Sequence, residues 1–181
     1  MKKTNFLFVL MLTAAAGFGQ KKITTSATIA FDASTAIDNL PKAENKTVIG
    51  AIDPAKGTVQ FEAIIKNFDF ANPRIQEHFN QKGWMNSEEF PTATFNGNIT
   101  NLSAVNFNKD GTYTANIAGD LTLHGQTQKI NTDATIIVAG NSLKTTSAFS
   151  IKLADYGVDG PQVGAGKVSR EPKITVSAEL N

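Results

Sequence analysis

Residues 83–95 read GWMNSEEFPTATF and mark the point where two sequence patterns meet. Trp84, the only tryptophan of the chain, and Met85 stand in what reads as a polar loop. From Pro91 onward apolar and polar residues alternate, ending at Phe95, and a period of two predicts a strand with one buried face. The stretch therefore predicts a strand preceded by a loop whose apolar side chains must pack on another surface.

The same alternation recurs along most of the chain. A period of two repeated this often predicts antiparallel strands with one wet and one dry face. Turn-type residues such as Asp53-Pro54-Ala55-Lys56-Gly57 and His124-Gly125 separate the runs. Several strands are long, which favours one all-β, antiparallel, up-and-down barrel of about eight strands over a sandwich. The alternating runs are 27–31, 59–65, 93–99, 113–123, 130–138, 143–153 and 174–180.

One segment before Trp84 has a helical pattern instead. Asn72 suits an N-cap, Pro73 the first helical position, and Gly83 follows the expected end. Ile75 and Phe79 lie four residues apart and share one face. A helix of about two turns does not persist in water unless its apolar stripe docks. We therefore expect a short helix that caps one end of the barrel.

Aromatic residues are concentrated around this helix. Five phenylalanines lie between Asn67 and Phe95, outside most of the strand alternation. A barrel of about eight strands is either filled by its side chains or holds one small ligand, and its open end needs a cover. The segment from Phe68 to Phe90 is predicted to be that cover, with Trp84 and Met85 turned inward over one mouth.

The first 19 residues have the pattern of a cleaved signal peptide. Lys2 and Lys3 precede a short apolar run, and small residues at Gly17 and Gly19 suit cleavage before Gln20. The expected location is therefore periplasmic or secreted, with one domain at 20–181. Without the leader, 15 basic residues face 16 acidic ones, and that balance does not favour nucleic acid as a partner.

The sequence lacks the usual signs of catalytic, metal and cofactor chemistry. It has no cysteine, and its histidines, His78 and His124, fall short of the three or four ligands of a zinc site. No Gly-x-Ser-x-Gly elbow occurs. The cluster at 160–169 fails as a phosphate loop because Pro161 replaces the first glycine, so it reads as a flexible connection. No catalytic, metal or cofactor site is expected.

Three motifs resemble one known family, the YceI-like proteins. The pattern of an arginine opening a short helix, an acidic-aromatic loop, and an aromatic-proline pair before a strand is matched by Arg74, Glu88, Glu89, Phe90, Pro91 and Phe95. Residues 119–130, GDLTLHGQTQKI, resemble the family's leucine-containing hairpin. Residues 149–160, FSIKLADYGVDG, resemble its Phe-x-Ile strand followed by an Asp-Tyr-Gly turn.

This resemblance implies a secreted bacterial protein with a lipocalin-like barrel that binds a polyisoprenoid or another long-chain lipid without catalysis. On that basis two groups of side chains are expected to contact the lipid. The barrel wall contributes Phe31, Phe61, Phe95, Tyr113, Ile117, Leu121 and Phe149. The cover contributes Phe68, Phe70, Ile75, Phe79, Trp84 and Met85.

Two other functions fit the residues taken alone. Small inward residues such as Gly119 and Ser147 can leave a tunnel or allow tight packing of a filled barrel. A filled barrel would serve as a structural or protein-interaction module. An enzyme acting on a small hydrophobic substrate is the third reading and would need a buried carboxylate. The sequence leaves open the lipid's identity and the oligomeric state, a homodimer included.

Overall fold

The computed structural model describes residues 20–181, so the predicted signal peptide at 1–19 lies outside the described residues. None of the described helices is long and apolar enough to cross a membrane. Each of the seven alternating runs falls on a strand, although the run at 143–153 extends three residues past its strand and the run at 59–65 extends one residue past its strand. The elements are β1 (Lys22–Asp32), β2 (Lys42–Asp53), β3 (Thr58–Ile64), β4 (Asp69–Phe70), α1 (Pro73–Asn80), β5 (Thr92–Ile99), β6 (Gly111–Leu123), β7 (Gln126–Ala139), β8 (Ser142–Ser150), α2 (Pro161–Gly164) and β9 (Lys173–Leu180).

Eight antiparallel strands close into a barrel. The order is β1-β9-β8-β7-β6-β5-β3-β2, and β2 pairs back with β1, so every long strand has two neighbours. The two-residue β4 adds to β2 through Ala43 and Phe70. The prediction of an all-β, lipocalin-like barrel with a short helix at one end is confirmed. Closure removes the exposed strand edges that would invite aggregation.

The two ends of the barrel differ in construction. One end, here called the lid end, carries α1, the 33–41 loop and the 153–168 segment. The β6–β7 turn lies there too, since the rings of Phe90 and His124 are 4.7 Å apart. The other end, the turn end, carries tight turns at Gly57 and Gly140, both with positive φ. The connecting segments at the turn end are therefore short, apart from residues 100–110, which join β5 to β6.

The half of the barrel interior next to the turn end is filled. Apolar side chains from five strands pack together there, and each is at most 5% exposed. The isoleucine and leucine side chains occupy the space beside the smaller alanine and valine side chains. A tunnel therefore does not run the length of the barrel. We call this group the filled half; it consists of Ile99, Ala115, Ile136, Val138, Leu143 and Leu180.

The buried side chain of Asn45 joins β2 to β3 beyond the point where their backbone pairing ends. Asn45 is fully buried and its Nδ2 donates to the carbonyl of Ile64 at 2.9 Å. Its Oδ1 accepts from the backbone N–H and the hydroxyl of Thr47, both at 2.9 Å. Both polar atoms of the amide therefore have at least one partner, as burial requires. The chain then turns away at Ile64 to build the lid.

Candidate ligand-binding site

A cavity occupies the half of the barrel next to the lid end. It has a volume of about 260 Å³, near the lower end of ligand-binding cavities, and its wall is almost entirely apolar. Four aromatic rings project from the strands into its lining: Phe31, Phe61, Phe95 and Phe149. The filled half forms its floor. The cavity is therefore a pocket closed at one end.

Strand glycines make room for two of these rings. A Cβ at Gly50 would overlap the ring of Phe61. A Cβ at Gly97 or Gly119 would come within 2.7 Å of the ring of Phe95. Gly97 and Gly119 pair directly across β5 and β6. Since the rings take the space that Cβ atoms would fill, they sit close to the wall and leave the barrel axis open.

The lid, defined here as residues 68–90, closes the cavity with aromatic contacts. Phe79 is at the centre: its ring centroid lies 4.9 Å from Phe70, 5.9 Å from Phe68 and 6.0 Å from Phe31. Tilted ring pairs at these distances are favourable. The Asn72 side chain accepts from the N–H of Arg74 at 3.0 Å, which caps the start of α1. Packing and capping together hold a helix of only eight residues.

The loop after α1 turns its apolar residues inward. Trp84 lines the cavity and Met85 is 4% exposed. The N–H of Met85 donates to the carbonyl of Phe79 at 3.0 Å, which fixes the loop to the helix. The indole also packs against Gly160, where a Cβ would lie 2.9 Å from Cζ2. The tryptophan in a polar loop is therefore part of a cavity wall.

Of the thirteen side chains expected to contact lipid, all but one line the cavity; whether they contact a ligand stays a prediction. Tyr113 is the exception. It pairs with Ile136 in the filled half, and its hydroxyl donates to the carbonyl of Lys109 at 2.8 Å. The alternation placed Tyr113 on the correct face of β6 but carries no information about depth along the barrel.

Polar side chains surround the mouth of the cavity, and the sequence did not reveal them. Asp38, His78, Gln162 and Lys167 all line it. His78 and Lys167 are solvent-exposed, and the Oε1 atom of Gln162 is buried without a hydrogen-bond partner among the described residues. The 160–166 stretch, interpreted as a flexible connection, contains α2. Pro161 at its first position was the available signal.

A second polar group lies deeper, on neighbouring strands. The hydroxyls of Thr132 and Ser147 are 3.0 Å apart, and Ser147 donates to the carbonyl of Asp133 at 2.7 Å. Thr145 lies one inward position closer to the filled half and is 7% exposed. It makes no side-chain hydrogen bond to any described residue. The cavity wall is therefore not uniformly hydrocarbon near its floor.

One perturbed titratable group lies next to the site. Burial, aided by the charge of Asp155, raises the pKa of Tyr156 to about 12. The carbonyl of Tyr156 is 2.9 Å from Nδ1 of His124, which ties the 153–156 turn to the β6–β7 hairpin. Within residues 20–181 no three histidine, aspartate or glutamate side chains are grouped as metal ligands would be.

Comparison with known proteins gives a family and a set of similar folds. The model of the YceI-like domain matches residues 16–180. A polyisoprenoid-binding domain from Saccharophagus degradans, implicated in plant cell wall breakdown, has a TM-score of 0.75 and 12% identity, covering 89% of this chain and 97% of that one. For BcnA from Burkholderia cenocepacia these values are 0.70, 18%, 86% and 96%. No curated protein matches significantly.

Proposed function

Because the chain belongs to the YceI-like family, we propose that it is a lipid-binding protein that holds an isoprenoid-type chain in the barrel cavity. The observation that carries the proposal is the cavity itself: an apolar pocket with a closed floor and an aromatic lid. The similar fold of a polyisoprenoid-binding domain supports the choice of ligand class. The chemistry proposed is binding without catalysis.

An apolar cavity of this kind needs few polar contacts to bind a chain. Drug-sized ligands gain about 0.3 kcal/mol per heavy atom. A chain that buries about 25 carbon atoms would gain about 7.5 kcal/mol, which corresponds to a micromolar Kd. Since a cavity of about 260 Å³ holds only part of such a chain, the remaining carbons must pack at the mouth. Longer chains would gain further affinity only if their remaining carbons stay out of water.

The lid is the proposed route of uptake. The filled half blocks the turn end, and side chains of α1 and of the 81–90 loop line the cavity. We therefore expect a lipid to enter by displacing α1 or the 81–90 loop. Within the lid, β4 is paired with β2, whereas α1 and the 81–90 loop contact the barrel mainly through rings around Phe79 and through the packing of Trp84 on Gly160. Such contacts slide more easily than a hydrogen-bonded strand pair separates.

The proposed setting is the periplasm or the exterior of the cell. The pattern at 1–19 supports it, and a carrier between membranes or a store of lipid are the roles that suit a closed cavity. Fractionation of the host, with detection of the processed chain starting near Gln20, tests the location. Finding the unprocessed chain in the cytoplasm would contradict it.

Mass spectrometry of an organic extract tests the binding proposal directly. Protein purified from its native host without detergent should release about one isoprenoid-type chain per molecule. The control is Ala134→Phe, which adds a ring inside the cavity lining and should carry less lipid while keeping its far-UV spectrum. Absence of lipid from the wild type, both as purified and after incubation with polyprenol, would contradict the proposal.

A further inference from the structure

We propose that the floor of the cavity is a polar subsite for an uncharged oxygen, so that the bound isoprenoid carries a hydroxyl or carbonyl at its deep end. Thr145 would donate to that oxygen, beside Ser147 and Thr132. This inference rests on the proposed function, because it names the chemical class of the chain and its direction in the cavity.

Thr145 is an unpaired polar group in a place where an apolar one would fit. It is 7% exposed, lines the cavity, and bonds to no described residue. Its Oγ1 is not among the polar atoms sealed without a partner in the described residues, which belong to Asn80, Tyr156 and Gln162, so it is open to the cavity that Thr145 lines. Valine has nearly the same shape and favours strands equally, so packing alone does not require a hydroxyl here. A ligand oxygen in the cavity would give this hydroxyl a hydrogen-bond partner.

The groups around Thr145 determine whether a bound ligand group can be charged. Ser147 uses its proton on the carbonyl of Asp133, and Thr132 is 3.0 Å from Ser147, so both retain lone pairs. Thr145 supplies an O–H donor. No lysine, arginine, aspartate or glutamate lines this part of the cavity among residues 20–181. A charged group would be desolvated there without a counterion, so a neutral oxygen fits and a phosphate does not.

The polar groups at the mouth do not play the same role. His78 and Lys167 are exposed and are hydrated without any ligand. Thr145 lies at the opposite end of an apolar pocket, beyond Phe149 on the same inward face of β8. Small neighbours leave its hydroxyl accessible: Ala178 pairs with it directly, and Ala134 pairs with Ser147.

The test compares two ligands that differ by one oxygen. A linear C20 isoprenoid alcohol and the matching C20 hydrocarbon compete for delipidated protein, with the fluorescence of Trp84 as the readout, since this lone tryptophan lines the cavity. For the wild type the alcohol should bind about fivefold tighter, as expected for one added hydrogen bond. Thr145→Val should bring the two affinities within about twofold.

Two further variants make the result decisive. Thr146→Val changes an exposed threonine on the outer face of the same strand and should keep the fivefold preference. Ser147→Ala removes a neighbouring acceptor and should reduce the preference, which covers the case in which Thr145→Val does not fold. Equal binding of both ligands by the wild type, or an unchanged preference in Thr145→Val, overturns the inference while the binding function stands. Binding of neither ligand overturns both.

Discussion

Tyr156 combines a fully packed aromatic ring with a hydroxyl group that lacks a hydrogen-bond partner in the described part of the chain. Its side chain is 1% exposed and its hydroxyl has no partner among the described residues. The ring belongs to the buried apolar core, and the backbone carbonyl of the same residue bonds to His124. The packing of the ring therefore outweighs the unpaired hydroxyl.

This hydroxyl makes stability depend on pH in the alkaline range. Between pH 10 and 12 the unfolded chain loses the tyrosine proton while the folded chain keeps it, so the free energy of unfolding falls as pH rises. Tyr156→Phe should reduce this loss by about 1–2 kcal/mol. Urea denaturation from pH 8 to 11.5 measures it. Equal slopes for wild type and Tyr156→Phe would contradict the prediction.

At the scale of elements, α1 is held by the packing of aromatic side chains and not by pairing with a barrel strand. The free energy that holds α1 comes from rings contributed by the lid itself and by β1. Eight residues cannot form a stable helix alone, so the helix and the lid loop should open together when these contacts are weakened.

Trp84→Ala tests the lid. The variant should fold with a small loss of stability, about 1–2 kcal/mol, because the indole is only half-buried. It should release bound lipid at least tenfold faster, measured by transfer to acceptor vesicles. Tyr113→Ala is the matched control, since this ring lies outside the cavity lining and its loss should not change release. A Trp84→Ala protein that loses its cooperative melt but keeps its lipid would show that Trp84 is ordinary core.

The sequence predicted most strands but missed β2, for a physical reason. A bulge shifts its pairing with β1, so that Ala27 pairs with Val48 but Ile29 pairs with Asn45. The inward face therefore passes from odd to even positions, and it includes a buried asparagine. A search for strict alternation of apolar residues cannot find such a strand. The lid was predicted because its signals, Asn72, Pro73 and the aromatic cluster, are local in sequence.

At the scale of the whole molecule, the barrel interior is filled by side chains in the half next to the turn end and hollow in the half next to the lid end. Whether small residues line a cavity or complete a core depends on which side chains other strands bring to the same level. Ala134 lines the cavity, whereas Ala115, its partner across β6 and β7, belongs to the filled half. No pattern within one strand encodes that difference.

The filled half should limit how deep a chain can reach. Ile136→Ala removes a fully buried side chain beside Thr145 and should cost about 2–5 kcal/mol of stability. It should also extend the pocket, so that extracted lipid shifts to longer chains in mass spectra. Ile137→Ala, on the outer face of the same strand and 41% exposed, should change stability by less than about 1 kcal/mol and leave chain length unaltered. Unaltered lipid in Ile136→Ala would show that the floor does not set length.

The pairing of the first barrel strand with the last has a kinetic consequence. Asp32 of β1 pairs with Lys173 of β9, and Ile23 and Asn181 exchange two backbone hydrogen bonds at 3.1 Å. Contacts between residues so distant in sequence form late in folding, because the loop they close is long. Until these contacts form, the sheet is not closed and its apolar face is exposed. A lipid present during folding can therefore be enclosed by the closing wall itself, with no opening of the lid.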